Sequence, residues 1–234
     1  MQSELQIALF AATTVAFASF ARLLRGVTSS GSLAGGAVCF LLMLAGGWGG
    51  FAALAAVFLL TWAATRLGHR SKQSRGTSER QDGRNAGQVL ANLGMACAAG
   101  LAYIVLRDSR FLAAVAAALA EVAADTLSSE IGLALAGTPR LVTTWKPVPT
   151  GTNGAITLGG TLAGVAGATL VALVCVLTGV VPRRAFWVCA GAGLIGMVAD
   201  SVLGATVERR GILGNNGVNF LSTVIAAALA AAFL

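Results

Sequence analysis

The feature that most constrains this chain is a series of long apolar segments separated by short polar ones. Of its 234 residues, 56% are hydrophobic and only 11% are charged, which is too few to cover a water-soluble surface. A helix of about 20 mainly apolar residues crosses the core of a bilayer. Such segments occur at 5–24, 33–47, 49–67, 86–106, 111–136, 155–181, 185–207 and 217–234. We therefore predict an all-α, polytopic transmembrane bundle of eight spans, or of seven if the short second segment does not cross.

The chain is expected to form a single transmembrane domain over residues 1–234, because no polar segment is long enough for a second domain. Two loops stand out, a basic one at 68–85 and one at 137–154 with a Gly/Asn motif. Of the 16 lysines and arginines, 12 fall in one alternating set of loops, which includes these two, and 4 fall in the other set. This bias predicts that the richer loops are cytoplasmic in a multi-pass inner-membrane protein. It also explains the net charge of +7 without nucleic-acid binding.

Four of the nine acidic residues fall inside predicted spans, namely Glu121, Asp125, Glu130 and Asp200. A carboxylate in the membrane centre costs about 3 kcal/mol or more, so it usually faces a cavity or a partner. A structural ion pair is the alternative, but no lysine or arginine lies at the centre of a span to supply one. The orientation places Asp125, Glu130 and Asp200 in the cytoplasmic halves of their spans. We therefore predict that these three are catalytic.

Several amide side chains are predicted to reach the same membrane level. Asn92 opens one span, Asn153 and Gly154 lead into another, and Asn216 and Asn219 open the last. The helix start after Gly154 offers free backbone N–H groups to an anion, and a simple turn with an N-cap is the alternative. We predict that these positions bind substrate beside the acids.

Carboxylates on facing helices are hard oxygen ligands that suit Mg²⁺, and they repel one another without a cation or a shared proton. We therefore predict a magnesium site whose ligands are Asp125, Glu130 and Asp200. Arg84 at the mouth of a span and Lys146 in the second loop are predicted to hold phosphate groups. Membrane orientation alone is the alternative explanation for basic loop residues.

The chain also contains a short internal repeat. Ala124-Asp125-Thr126 returns 75 residues later as Ala199-Asp200-Ser201. Each copy is followed by a loop that ends in Asn-Gly, at Asn153-Gly154 and Asn216-Gly217. Both units run inward, turn and run outward, which predicts a parallel helix-pair repeat of spans five-six and seven-eight. Chance similarity among small residues is the alternative.

These motifs occur in the order that is found in a known membrane family. They are the Gly-Trp-Gly turn at 47–49, Arg84, Asn92, the run 124–132, the segment 146–160, Asp200-Ser201 with 204–206, and Asn216 with Asn219. The chain thus resembles the integral-membrane phytyl-phosphate kinase family, whose relatives include phytol and dolichol kinases and CTP-dependent cytidylyltransferases. The resemblance covers nearly the whole chain and implies a CTP-like donor with Mg²⁺. Leu127, Ala155 and Thr157 depart from the usual family residues, which leaves the predicted ligands intact but the substrate open.

Residues and resemblance together predict a membrane kinase that transfers a phosphoryl group from a nucleoside triphosphate to an isoprenoid monophosphate, giving the diphosphate. A cytidylyltransferase acting on a lipid phosphate is one alternative, and a transporter of lipid phosphates or small anions is another. The expected partners are the lipid phosphate, the nucleotide and membrane lipids, with no nucleic acid. The sequence makes no prediction of oligomeric state.

Overall fold

The computed structural model describes residues 3–68, 72, 83–135 and 137–234. Within these ranges, seven helices are long and apolar enough to cross a membrane. They are α1 (Glu4–Leu23), α2 (Ser29–Arg66), α3 (Ala86–Leu106), α4 (Arg110–Ala134), α5 (Leu158–Leu177), α6 (Phe186–Leu203) and α7 (Asn215–Ala232). The predicted polytopic helical fold is therefore confirmed. Most of the basic loop predicted at 68–85 lies outside the described residues.

The long helix α2 is a hairpin rather than one straight rod. Its Gly47 has φ 60° and ψ −146°, a conformation that is nearly exclusive to glycine, and the chain reverses there. The ring of Phe58 lies 2.7 Å from the position of a Cβ on Gly26, which precedes the helix. A straight helix would hold those two residues about 48 Å apart. The arms 29–46 and 48–66 are therefore antiparallel, and the described helices form eight rods, as the eight apolar segments predicted.

Helix α4 occupies the centre of the bundle. Every residue from Ala113 to Ala124 is buried, and the helix packs against α2, α3, α5, α6 and α7. A helix that is apolar on all sides is expected in such a position. Its alanines allow close approach, since a Cβ on Gly193 of α6 would lie 2.9 Å from the Cβ of Ala120. Three polar residues of α4, Glu121, Thr126 and Glu130, are consequently buried within the bundle.

A crossing of two chain segments holds Arg84 just before α3. The backbone N–H of Arg84 donates a hydrogen bond to the carbonyl oxygen of Gly26 at 3.0 Å. The crossing is tight, because a Cβ on Gly31 would clash with the carbonyl oxygen of Arg84. The end of the bundle that carries Arg25, Arg66 and Arg84 is called the basic end below.

Two helix boundaries near the basic end differ from those predicted. Helix α5 begins at Leu158 rather than at 155, because β2 (Ala155–Ile156) pairs antiparallel with β1 (Arg140–Leu141). Helix α6 ends at Leu203, and the chain continues through a π-helical turn at Gly204–Glu208. Such turns are rare and are frequently found at functional sites.

Candidate active site

Two acidic side chains from different helices meet near the basic end. Asp125 of α4 and Asp200 of α6 lie within hydrogen-bonding distance of each other. Oδ2 of Asp200 is buried and has no hydrogen-bond partner among the described residues. Two ionised carboxylates this close repel each other unless a cation or a shared proton lies between them. The donor chemistry of the pair, two carboxylates whose four hard oxygens include the unsatisfied Oδ2 of Asp200, fits a divalent cation.

Arg84 places a positive charge beside this acidic pair. Its guanidinium interacts electrostatically with Asp125 and donates a hydrogen bond to Oγ1 of Thr126 at 3.4 Å. The crossing with the loop between α1 and α2 fixes the backbone from which this side chain extends. A guanidinium presents several N–H donors in one plane, a geometry that matches a phosphate group.

The acidic pair opens onto a polar cavity of about 410 Å³, which is in the size range of small-molecule sites. Seven of the ten predicted site residues line this cavity: Arg84, Asp125, Glu130, Asn153, Gly154, Asp200 and Asn219. Hydroxyl-bearing residues complete much of the wall: Thr126, Ser128, Ser129, Thr150, Thr152, Thr157 and Ser201. Residues that are far apart in the sequence thus converge in one cavity, which is called the polar cavity below.

The loop between β1 and β2 forms one wall of the polar cavity and packs on the π-helical turn. Gly154 has φ 75°, and a Cβ there would clash with the backbone of Ser201 and Ala205. Glycine is required at this position both for its backbone conformation and for the close contact. The Asn153-Gly154 motif therefore joins the two halves of the predicted repeat at the site.

Glu130 has a different environment from the one predicted. Its Oε2 forms an ion pair with Nζ of Lys72 at 2.5 Å, and its Oε1 accepts a hydrogen bond from Oγ1 of Thr65 at 3.3 Å. The structural ion pair that the sequence analysis set aside is thus present, because Lys72 enters the bundle from the basic loop. Over residues 3–68, 72, 83–135 and 137–234, no three acidic, histidine or cysteine side chains converge as metal ligands. The predicted three-carboxylate set is therefore reduced to Asp125 and Asp200.

Three predicted site residues do not line the polar cavity. The turn after β1 leaves Lys146 exposed and outside the wall of the polar cavity, and its contact with phosphate stays a prediction. Asn216 is likewise exposed at the start of α7. Asn92 is buried, and its Oδ1 accepts a hydrogen bond from Nδ2 of Asn219 at 3.4 Å. Asn92 consequently helps to position the side chain of Asn219, which lines the polar cavity.

Three residues near the site were not assigned to it from the sequence. Glu121 lies one turn deeper than Asp125, is only 2% exposed, and has an Oε1 without a hydrogen-bond partner in the described part of the chain. Glu208 in the π-helical turn and Asn215 at the start of α7 line the polar cavity. The four-residue spacing from Glu121 to Asp125 was a usable signal. No comparable signal marks Asn215.

The fold and the site together define a class of protein, a polytopic helical membrane protein with a polar cavity between intramembrane acids. More particularly, the chain belongs to the family described as integral membrane protein DUF92, which matches residues 12–227. No solved structure matches the chain.

The chain is similar to proteins of a plant and of an archaeon. Protein PGR of Arabidopsis thaliana is 32% identical over 281 residues, which cover 96% of this chain and 94% of that protein. Protein VTE6, chloroplastic, of the same plant is 34% identical over 214 residues, which cover 86% of this chain and 63% of that protein. Uncharacterized membrane protein MJ0933 of Methanocaldococcus jannaschii is 45% identical over 107 residues, which cover 46% of this chain and 44% of that protein. The chain thus spans less than two thirds of the length of the last two relatives.

Proposed function

We propose that this protein is a membrane-embedded kinase that transfers the terminal phosphoryl group of a nucleoside triphosphate, CTP or a similar nucleotide, to an isoprenoid monophosphate. The observation that carries the proposal is the contact of Asp125 with Asp200, beside Arg84, at a polar cavity in the basic end of the bundle. The resemblance to phytyl-phosphate kinases supplies the substrate class. The site is proposed to face the cytoplasm, in agreement with the bias of basic loops.

Asp125 and Asp200 are the residues proposed to hold Mg²⁺. Magnesium is commonly bound through one or two carboxylates together with the phosphates of a substrate, so two protein ligands suffice. When bound, Mg²⁺ neutralises charge on the triphosphate. The unsatisfied Oδ2 of Asp200 supports this assignment independently of the resemblance. Glu130, fixed by Lys72, acts as a positioning residue for the end of α4.

The proposed reaction balances without a dedicated base. An oxygen of the acceptor phosphate attacks the terminal phosphorus, the bond to the bridging oxygen breaks, and a nucleoside diphosphate leaves. The second pKa of a phosphate monoester is about 6, so the acceptor oxygen is already largely ionised near neutral pH. The chain's own contribution is orientation by Arg84, Asn153 and Asn219 and neutralisation of negative charge at the site.

Asp125→Asn is expected to lower phosphoryl transfer by about 100-fold or more, because the amide removes one of the two carboxylates at the site. The purified protein would be incubated with Mg²⁺, a panel of nucleoside triphosphates and isoprenyl phosphates of several chain lengths, with products identified by mass spectrometry. Asp108→Asn is the matched control. Asp108 lies in the loop between α3 and α4 at the opposite end of the bundle, where it pairs with Arg110.

Donor labelled separately at the α and γ phosphorus distinguishes the reactions. Transfer of the γ label to the lipid supports the kinase, whereas incorporation of the α label with release of diphosphate indicates a cytidylyltransferase. Nucleotide-independent uptake of lipid phosphate into proteoliposomes indicates a transporter. Full activity of the purified Asp125→Asn protein would refute the assigned role.

A further inference from the structure

A second cavity lies beside the polar one and has no part in the mechanism above. It encloses about 410 Å³ between α1, the two arms of α2, and α3. Much of its wall is aliphatic or aromatic, with contributions from Phe17, Leu54, Val57, Phe58, Val89 and Leu93. It is called the apolar cavity below.

The end of the apolar cavity that lies in the basic end of the bundle is lined by arginines and is called its mouth below. Arg25, Arg66 and Arg84 all line it, and among the described residues no aspartate or glutamate does. Arg66 is held in place by a hydrogen bond to the carbonyl oxygen of Leu24 and by its position over the ring of Trp62, 4.8 Å from the ring centroid. An apolar interior with three guanidinium groups at one end complements a hydrocarbon chain with an anionic head.

The apolar and polar cavities share a wall. Arg84 and Gln88 line both of them. A phosphate at the mouth of the apolar cavity would therefore lie at Arg84, whose guanidinium also interacts with Asp125. An isolated phosphate ion would not occupy the apolar interior, and a nucleotide would also leave it empty.

We infer that the apolar cavity holds the hydrocarbon tail of the isoprenoid phosphate, with its phosphate turned towards Arg84. This inference rests on the proposed function for the identity of the lipid. In this arrangement the tail lies between α1, α2 and α3 within the membrane, and the phosphate meets the nucleotide at the polar cavity. Arg25 and Arg66 are then residues that bind the acceptor phosphate.

Gly35 provides a way to block the cavity selectively. It lines the apolar cavity, and a Cβ there would meet nothing within 4 Å, so a larger side chain extends into open space. Gly191 on α6 also has nothing within 4 Å of its Cβ position but lines neither cavity. Gly35→Phe and Gly191→Phe are therefore matched variants, both replacing a glycine within a helix.

The test uses an isoprenyl phosphate that carries a diazirine at the end of its tail. The probe would be photolysed with the full-length protein in phosphatidylcholine nanodiscs without nucleotide, and labelled residues mapped by mass spectrometry. We expect labels within 17–21 and 54–62 in the unsubstituted protein. Labelling should fall about tenfold or more in Gly35→Phe, as expected when several carbons lose their apolar site, and persist in Gly191→Phe. The corresponding alcohol, which lacks the phosphate, should label these segments less.

The map of the unsubstituted protein decides the inference even if Gly35→Phe fails to fold, and Gly35→Leu provides a smaller obstruction. Labels concentrated on α6 and α7, or equal labelling by Gly35→Phe and the unsubstituted protein, would overturn it. Displacement of the probe by a diacyl phosphatidic acid as efficiently as by isoprenyl phosphate would also overturn it, because the cavity would then bind phospholipid generally.

A protein labelled as expected that transfers no phosphoryl group contradicts only the proposed function. A protein that transfers phosphoryl groups but is labelled elsewhere contradicts only this inference.

Discussion

Glu130, Asp125 and Asp200 are accommodated inside the bundle in two different ways. Glu130 is paired with Lys72, and both of its oxygens accept hydrogen bonds. Asp125 and Asp200 instead contact each other, and one buried oxygen has no partner among the described residues. A complete ion pair needs nothing more, whereas two adjoining carboxylates require a cation or a proton. These different partners distinguish Glu130, which has a supporting role, from Asp125 and Asp200, which are proposed to bind the metal.

Lys72→Met is predicted to destabilise the protein by about 3–5 kcal/mol, because it leaves the carboxylate of Glu130 buried without its cation. The measurement is the free energy of unfolding in detergent. The double variant Lys72→Met with Glu130→Gln should recover most of that loss, since no uncompensated charge remains. A single variant that costs less than about 1 kcal/mol contradicts the structural role of the pair.

At the scale of elements, glycines determine how closely the segments around the site approach. Gly154 seats the loop between β1 and β2 against the π-helical turn, and Gly31 allows the Arg84 segment to cross the start of α2. Neither contact touches the acidic pair directly. Both nevertheless position groups that line the polar cavity, so small changes at these glycines should alter activity.

Gly31→Ala is predicted to lower phosphoryl transfer by about 10- to 100-fold, because the added methyl group displaces the backbone of Arg84. Gly36→Ala is the control on the same helix, where the new Cβ meets its nearest neighbours at an ordinary 3.7 Å. Steady-state rates and thermal unfolding would be measured on both variants. Equal rates for the two variants contradict the role of the crossing in placing Arg84.

At the scale of the whole molecule, eight antiparallel rods place the start of α1 and the end of α7 at one end of the bundle. The basic end is opposite, and residues of both the polar and the apolar cavity lie there. The proposed nucleotide donor and the proposed lipid acceptor can thus reach one point from different directions. This arrangement differs from the midplane sites typical of transporters.

The proposed orientation predicts the accessibility of single introduced cysteines. Thr144→Cys, in the turn after β1, should react with a membrane-impermeant maleimide only when the cytoplasmic side is exposed. Ser109→Cys, in the loop before α4, should react only from the other side. The native cysteines are buried or half-buried, so the unsubstituted protein is the control in intact and inverted vesicles. The reverse pattern contradicts the cytoplasmic placement of the site.

The apolar segments by themselves determined the helical membrane fold, since about 20 apolar residues in a row have few other stable environments. The glycines around Gly47 also marked the reversal within α2, because the local backbone conformation there is nearly restricted to glycine. The sequence also led to the prediction of Asp125, Asp200 and Arg84 as site residues, because the two acids lie in the cytoplasmic halves of predicted spans and Arg84 lies at the start of another.

Only the tertiary structure decided which of these groups touch. In the folded protein, Asp125 contacts Asp200, and Glu130 forms an ion pair with Lys72. Lys146 lies outside the polar cavity. The tertiary structure also revealed the apolar cavity between α1, α2 and α3. The spacing of residues determines the face of a helix on which a side chain lies. The partner across that face depends on how separate helices and loops pack, which distance along the chain does not encode.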